Sequence, residues 1–219
     1  MLQLQLSAVV RSLSETAVGR GLARCEGLQS LGQCSAPTGD GSQPEHRQEG
    51  MTTASVLPPT LEKADGTTVA VEELNGKIVV LFFSSEWCPA CKRFLPTLKT
   101  LYETAEEEGK PLEIVYVSSD RSAQQKTQYF KSHGGWLSVA FDDEPARNAL
   151  KARYGCFAGA ESGSFPGTKR RAGIPSIVVI GPNGEERVHM DCDPSTEINQ
   201  KGEGVLDDWL PHAWPVNLA

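Results

Sequence analysis

The sequence predicts an α/β fold with a central mixed β-sheet flanked by helices. Residues Ile78–Phe83 form an unbroken apolar run that is too short for a buried helix and is typical of a strand covered on both faces. Strand-like and helix-like segments alternate after this run, which indicates strands joined by helices in a layered domain. Further along, a Pro182-Asn183-Gly184 turn between two strand-like segments predicts an antiparallel hairpin.

The other elements each have a local signal. Asp65-Gly66 stands between two extended runs and predicts a hairpin within Leu61–Val71. Apolar residues recur at helical spacing after Cys91, and Pro145 suits the first turn of a helix that runs to Tyr154. The same kinds of signal predict strands at Leu112–Val117, Leu137–Phe141, Ser176–Ile180 and Glu185–Met190, and helices at Ser122–Ser132 and Val205–Leu210.

One segment, Cys156–Ala172, does not fit this alternation. It is rich in Gly, Ser and Ala and ends with the basic triplet Lys169-Arg170-Arg171. We interpret it as a surface loop inserted between a helix and a strand. The triplet either steers an acidic target toward the protein or is solvated charge, and Cys156 is either a regulatory thiol or an inert buried side chain.

The composition is that of a globular protein with one sizeable core. The chain has 219 residues, of which 39% are hydrophobic and 22% charged, and its net charge is -7. This acidic balance argues against nucleic acid as the main partner, because neutralising phosphate needs a basic surface. No apolar run reaches the roughly 18 residues that suggest a membrane span. Six cysteines are too few for a disulfide scaffold.

The start of the chain differs from the rest. Its first fifty residues contain no Lys and no aromatic residue, so we expect a disordered extension over 1–52 and one domain over 53–217. The extension is either a transit peptide, which Glu15 and Glu26 oppose, or an untargeted tail, or sequence upstream of a true start at Met51. The low cysteine content favours the cytoplasm or nucleus, whereas a transit peptide would direct the protein to a mitochondrion or plastid.

Cys88-Pro89-Ala90-Cys91 is the segment that carries chemistry. It lies where a buried strand passes into a helix, which is the context that favours a redox function for such a pair. Cys88 falls at the helix N-terminus, where unpaired N–H groups and the helix dipole favour the thiolate. Cys91 lies about one turn further along. Cys88 would therefore attack a target disulfide, and Cys91 would then resolve the mixed disulfide.

Metal binding is the main alternative, because two cysteines at this spacing are also half of a structural zinc site. A second pair of Cys or His residues should then follow. Cys156 and Cys192 are isolated, and His133 and His189 lack paired spacing. The sequence therefore favours redox chemistry and no metal.

The run Val80–Pro96, which includes Trp87 and the cysteine pair, resembles the active-site segment of the thioredoxin superfamily. Three further segments are similar to its tryparedoxin and nucleoredoxin branch, namely Val115–Arg121, Trp136–Asp143 and His212–Pro215. The resemblance covers about Val56–Val216. It implies a thioredoxin fold and the activity of a thiol–disulfide oxidoreductase.

The resemblance also implies roles for residues outside the cysteine pair. Ile174-Pro175 follows the pattern of the family's cis-proline loop. In the family this loop packs against the cysteines and offers backbone groups to the substrate. Without the resemblance, an ordinary trans Pro before a strand would be the simpler interpretation. Trp87 matches the family's Trp beside the nucleophile, although simple edge packing is the alternative. Pro96 matches the Pro that kinks the active-site helix. The predicted supporting residues are therefore Trp87, Pro89, Ala90, Ile174 and Pro175.

Two positions depart from the family pattern. The residues between the cysteines are Pro-Ala, where the branch usually has Pro-Pro. Ordinary thioredoxins carry a buried Asp six residues before the nucleophile as a proton acceptor, and this sequence has Phe82 there. Cys91 must then lose its proton to another group, either water or Glu86, although a solvated loop acid is the simpler interpretation of Glu86.

By resemblance, the function is the reduction of disulfides in protein partners, with peroxiredoxin-type peroxidases as clients and no bound cofactor. Because the chain has no GxGxxG dinucleotide signature, electrons must come from an external reductase or a small dithiol. We expect a monomer that binds neither nucleic acid nor membrane. The alternative is a redox-sensitive binding module of the nucleoredoxin type with little turnover.

Overall fold

The computed structural model describes residues 56–192 and 197–216. The predicted extension over 1–52 lies outside these residues, as do 53–55, 193–196 and 217 of the predicted domain. The strands are β1 (Thr60–Glu62), β2 (Thr68–Ala70), β3 (Ile78–Ser84), β4 (Leu112–Ser118), β5 (Leu137–Ser138), β6 (Ser176–Ile180) and β7 (Glu186–Asp191). The α-helices are α1 (Pro89–Glu107), α2 (Ala123–Phe130), α3 (Glu144–Tyr154), α4 (Glu197–Lys201) and α5 (Val205–Trp209).

The described strands form one mixed sheet, as predicted. Their order is β2-β1-β5-β4-β3-β6-β7. β3 and β5 run parallel to β4, and the other neighbouring pairs are antiparallel. Every residue of β3 and β4 is buried. This explains why β3 is continuously apolar in sequence, since a strand covered on both faces has no solvent side.

Side chains of β3 alternate between two hydrophobic clusters, one on each face of the sheet. Phe82 packs against Phe94 of α1, with ring centroids 6.3 Å apart. Its neighbour Phe83 packs against Tyr154 of α3 at a centroid distance of 6.3 Å. The end of β3 is therefore held from both sides at the point where the chain leaves the sheet toward α1.

Helix α1 buries the residues that repeat at helical spacing, among them Phe94, Leu98 and Leu101. Pro96 lies inside the helix on its exposed side. Because proline has no N–H, the helix lacks one internal hydrogen bond at this point. None of the helices in the described ranges is long and apolar enough to cross a lipid bilayer.

Some boundaries differ from the prediction. The predicted strand 137–141 contains only the two residues of β5, because the chain then turns toward the N-cap of α3 at Asp143. Helix α2 begins after Ser122, whose hydroxyl caps it by accepting a hydrogen bond from the backbone N–H of Gln125 at 3.2 Å. Helix α4 has no counterpart in the prediction.

The interpretation of Cys156–Ala172 as a surface loop holds for the exposed residues of the segment, but it is wrong for the two ends and for Phe165, which are buried. Cys156 and Ala172 are buried and join the two ends through a parallel bridge. Phe157 and Phe165 are also buried, with ring centroids 4.5 Å apart. A short 3-10 helix over Gly159–Ser164 is the outer part of the segment. The contact between Phe157 and Phe165 thus stabilises a Gly- and Ser-rich segment, and its ends, Cys156 and Ala172, belong to the hydrophobic core of the domain.

His133 is enclosed by aromatic rings. It is 1% exposed, and both of its ring nitrogens lack a hydrogen-bond partner. Burial therefore lowers the pKa of His133 to about 3. The surrounding rings, at centroid distances of 4.5 to 5.9 Å, belong to Phe82, Tyr116, Tyr129, Phe130 and Trp136.

We expect His133 to make the domain sensitive to acid. The unfolded chain binds a proton at this residue near pH 6.5, whereas the folded state binds it only near pH 3. The free energy of unfolding should therefore fall below pH 6.5, by about 1.4 kcal/mol for each pH unit from this residue. Urea unfolding of the wild type and of His133→Phe, from neutral pH to about pH 4, measures this. An equal pH dependence in both proteins would contradict the prediction.

Candidate active site

Cys88 caps the helix that follows β3. Its backbone is extended, and its Sγ accepts a hydrogen bond from the backbone N–H of Cys91 at 3.3 Å. Pro89 occupies the first helical position, where no backbone donor is required, and Ala90 follows it. The backbone N–H of Cys91 in the first turn thus faces the Cys88 sulfur, as the N–H groups of helix N-termini face bound anions.

The two cysteines have different surroundings. Cys88 is 6% exposed and Cys91 is 0% exposed, and both are free thiols. Burial raises the pKa of the Cys91 thiol; a hydrogen bond with Cys88 acts in the same direction, and one with the Ser84 hydroxyl acts in the opposite direction. A partner can therefore approach Cys88, whereas Cys91 is available only for chemistry inside the protein.

The predicted cis-proline loop lies against Cys88. The Ile174–Pro175 peptide bond is cis, and the Cys88 thiol donates a hydrogen bond to the carbonyl of Ile174 at 3.6 Å. The carbonyl of Pro175 accepts a hydrogen bond from the backbone N–H of Cys192 at 3.1 Å, which ties the loop to the residue after β7. The fold thus brings a half-buried Ile174 and a buried Pro175 to the cysteine pair.

Trp87 is held by the loop that follows β4. Its indole Nε1 donates a hydrogen bond to the carbonyl of Ser119 at 2.9 Å. The Arg121 guanidinium lies 5.1 Å from the indole centroid, within the range of a cation–π interaction. The indole is half-buried, and Trp87 directly precedes Cys88 in the chain. Pro96 is seven residues beyond Pro89, or about 10 Å along the helix axis, and is not part of this site.

Asp120 fixes the backbone just before the cysteines. One of its carboxylate oxygens accepts a hydrogen bond from the backbone N–H of Glu86 at 2.7 Å. The other accepts from the hydroxyls of Tyr116 at 2.5 Å and Ser118 at 2.7 Å. These donors compensate for the burial of the carboxylate, which is 7% exposed. Asp120 is not among the site residues predicted from the sequence; the available signal was its position just after β4, the strand beside β3.

The region behind Cys91 contains hydroxyls instead of the carboxylate of ordinary thioredoxins. Phe82 lies in the aromatic core and has no polar group to offer. Ser84 is fully buried, and its Oγ lies 3.3 Å from the Tyr129 hydroxyl. Glu86 instead pairs with Lys92 at 2.6 Å and is 31% exposed, which is the geometry of a solvated loop acid. Ser84 and Tyr129 are not among the site residues predicted from the sequence, because they are 45 residues apart and no local pattern links them.

Glu161 connects the segment 156–172 to the same loop. Its carboxylate accepts hydrogen bonds from the Ser119 hydroxyl at 2.7 Å and from the backbone N–H of Ala158 at 2.9 Å. It also pairs with the Lys151 ammonium at 2.6 Å, and Lys151 is 1% exposed. Because the Ser119 carbonyl holds Trp87, the carboxylate supports the indole indirectly. No sequence signal distinguished Glu161 from other surface acids.

An open cavity of about 470 Å³ lies beside the cysteine pair, between α1 and the cis-proline loop. Its walls mix apolar and polar side chains, which suits part of a polypeptide. The lining residues are Ala90, Arg93, Phe94, Thr97, Ile174, Pro175, Asp191, Cys192 and Asn199. In the part of the chain that the structure describes, no group of three or more His, Cys, Asp or Glu side chains could hold a metal ion.

A helix that begins with a Cys-x-x-Cys pair facing a cis-proline loop is the signature of a thioredoxin fold. Comparison with known families agrees, since residues 75–186, roughly half of the chain, match the family model described as Thioredoxin-like. The chain therefore belongs to the thioredoxin-like family, and within it to the tryparedoxin and nucleoredoxin-like branch.

Three relatives illustrate this placement. Nucleoredoxin of Bos taurus is 33% identical over 130 residues, which are 59% of this chain and 26% of that protein. Tryparedoxin from Trypanosoma brucei is 27% identical with a TM-score of 0.52, over 70% of this chain and 94% of that one. Thioredoxin from Wuchereria bancrofti is 31% identical with a TM-score of 0.51, over 71% and 96%. The chain thus spans about a quarter of the length of nucleoredoxin.

The unequal burial of the two cysteines predicts unequal reactivity. Iodoacetamide at neutral pH should alkylate Cys88 at least about tenfold faster than Cys91, because burial raises the pKa of the Cys91 thiol and also blocks the reagent. Peptide mass spectrometry after timed quenching measures both rates. In denaturant the two rates should converge. Equal labelling of the folded protein would contradict this account of the site.

Proposed function

We propose that the protein is a thiol–disulfide oxidoreductase that reduces disulfides in protein partners. The observation that supports this most strongly is the environment of the Cys88 sulfur, which lies between the backbone N–H of Cys91 and the carbonyl of Ile174, with the Cys91 thiol one helical turn away. This arrangement provides a nucleophile, a resolving thiol and backbone groups for the substrate chain in one place.

The reaction would proceed in two exchanges. The Cys88 thiolate attacks one sulfur of a client disulfide, so that a Cys88–client disulfide forms and the other client sulfur leaves as a thiolate. Cys91 then loses its proton and attacks the Cys88 sulfur. The second client thiolate leaves, and the Cys88–Cys91 disulfide forms. Two electrons have passed to the client, and an external reductase or a small dithiol restores the two thiols.

The groups around the pair would support these steps. Trp87 and the cis-proline loop flank Cys88 and would contact the client on either side of its disulfide. The Ser84 hydroxyl lowers the pKa of the Cys91 thiol and would help it to lose its proton, in place of the carboxylate of ordinary thioredoxins. By analogy with the family, peroxiredoxin-type peroxidases are the proposed clients.

Substitution of either cysteine tests the assignment of roles. Cys88→Ser should reduce disulfide reduction to the level of the blank, because no nucleophile remains. Cys91→Ser should stop turnover but accumulate a mixed disulfide with the client, because the second exchange is blocked. Non-reducing electrophoresis and a turnover assay on a disulfide protein measure both. Normal turnover by Cys88→Ser would refute the proposed function.

The same assay separates an enzyme from a binding module. If the protein acts mainly by redox-dependent binding, a complex with the client should form with reduced wild-type protein and persist without turnover. The proposed function instead requires a complex that is stable only in Cys91→Ser.

The role of Ser84 can be tested separately. Ser84→Ala should slow the second exchange by about 3- to 10-fold, because it removes the hydroxyl that lowers the pKa of the buried Cys91 thiol. The first exchange should keep its rate. Stopped-flow measurement of the Cys88–client intermediate separates the two steps, and Ser84→Thr, which keeps the hydroxyl, is the matched control. An equal effect of both substitutions would contradict the role given to the hydroxyl.

A further inference from the structure

We propose that a rim of arginines around Cys88 selects client disulfides that lie in acidic polypeptide segments. This inference rests on the proposed function and adds to it the chemical class of the client. The arginine rim is defined as Arg93, Arg121 and Arg170, each of which is exposed and comes from a different element of the fold.

Each member of the arginine rim contacts a part of the candidate active site. Arg93 of α1 lines the cavity beside the cysteine pair, together with Ala90 and Pro175. Arg121 lies over the Trp87 indole, with its guanidinium carbon 5.1 Å from the ring centroid. A polypeptide bound across Cys88 would therefore meet a positive charge on both sides.

Arg170 is held over the cis-proline loop. Its Nε donates a hydrogen bond to the carbonyl of Phe157 at 2.9 Å, which leaves the terminal nitrogens free for another acceptor. A Cβ atom at Gly173 would lie 2.7 Å from one of those nitrogens. The glycine therefore allows the guanidinium to lie against the loop one residue before Ile174. The hydrogen bond to Phe157 and the close approach to Gly173 together fix the position of the Arg170 guanidinium, although the side chain is exposed.

The arginine rim has no carboxylate partners within the described residues. Two neighbouring acids are neutralised by lysines, since Glu86 pairs with Lys92 and Glu161 pairs with Lys151. Asp120 keeps its charge but is buried and accepts three hydrogen bonds from neutral groups, so its single negative charge does not cancel three guanidinium groups. Asp191 also lines the cavity and offsets one of these charges. The face around Cys88 thus keeps an excess of positive charge.

This local excess contrasts with the charge of the whole chain, which is -7. A molecule with that net charge repels acidic partners at long range, so three unpaired guanidinium groups at one site define a favoured face for them. Guanidinium binds carboxylates through two parallel hydrogen bonds and is suited to Asp and Glu side chains. An acidic segment beside the client disulfide is therefore the occupant that complements this face.

The first experiment compares three peptides that carry the same intramolecular disulfide with Glu, Gln or Lys at the flanking positions. Reduction of the Glu peptide should have a kcat/KM about tenfold higher than that of the Lys peptide at low ionic strength. The difference should shrink to within about twofold at roughly 0.5 M salt, because salt screens exposed charges. Equal rates for the three peptides at low salt would overturn the proposal.

The second experiment alters the arginine rim. Arg93→Gln, Arg121→Gln and Arg170→Gln should each lower the Glu-to-Lys ratio of kcat/KM by about threefold. Arg170→Lys should keep most of the ratio, and Arg170→Glu should lower it further than Arg170→Gln. Arg187→Gln is the matched control, because Arg187 is exposed at the end of β7 away from Asp191 and pairs with Glu185. An equal effect of the control would overturn the proposal.

Failure of this inference can be told from failure of the proposed function. If only the inference is wrong, all three peptides are reduced at equal rates and Cys88→Ser abolishes the reaction. If the proposed function is wrong, no peptide is reduced in a Cys88-dependent way. A short single-stranded oligonucleotide that inhibits Gln-peptide reduction more strongly than a Glu-rich peptide of equal charge would assign the face to nucleic acid and overturn the proposal.

Discussion

The hydrogen bond from the Cys91 backbone N–H to the Cys88 sulfur is the interaction on which this structure depends. A helix usually begins with an oxygen-bearing side chain that accepts this bond. Here a sulfur occupies that position, so the atom that starts the helix is also the reactive atom. The bond is possible only if the chain enters the helix at a fixed angle, and β3, buried on both faces, sets that angle.

Buried polar contacts maintain this geometry from the neighbouring elements. Asp120, just after β4, accepts a hydrogen bond from the backbone N–H of Glu86. On the other side, the Ile174 carbonyl accepts a hydrogen bond from the Cys88 thiol. Each contact joins residues that are distant in sequence, with separations of 34 and 86 residues. In an interior of low dielectric such bonds are strong, and leaving one partner unsatisfied is costly. The position of the reactive sulfur thus depends on several elements that meet where β3 ends.

The sequence predicts the parts of this arrangement that have a local cause. The apolar run of β3, the Asp65-Gly66 hairpin and the cysteine pair at the start of α1 each follow from short-range rules. The cis bond before Pro175 follows only from the family resemblance, since residue pattern alone favours trans. Ser84 contacts Tyr129, which is 45 residues away, and Asp120 holds the backbone of Glu86, which is 34 residues away, so the local pattern alone does not assign either role. The buried ends of the segment Cys156–Ala172 could not be predicted either, because its Gly- and Ser-rich composition does not reveal the contact between Phe157 and Phe165.

Glu161 has a consequence for how this domain can be altered. Its carboxylate joins an added segment to Lys151 of α3 and to Ser119, which in turn carries the indole next to the nucleophile. The segment therefore supports the active site and cannot be deleted without loss of these contacts. A chimaera that moves this redox centre to a shorter homologue has to transfer Glu161, Lys151 and Ser119 together, because deleting the acid alone leaves a nearly inaccessible ammonium without its counter-ion.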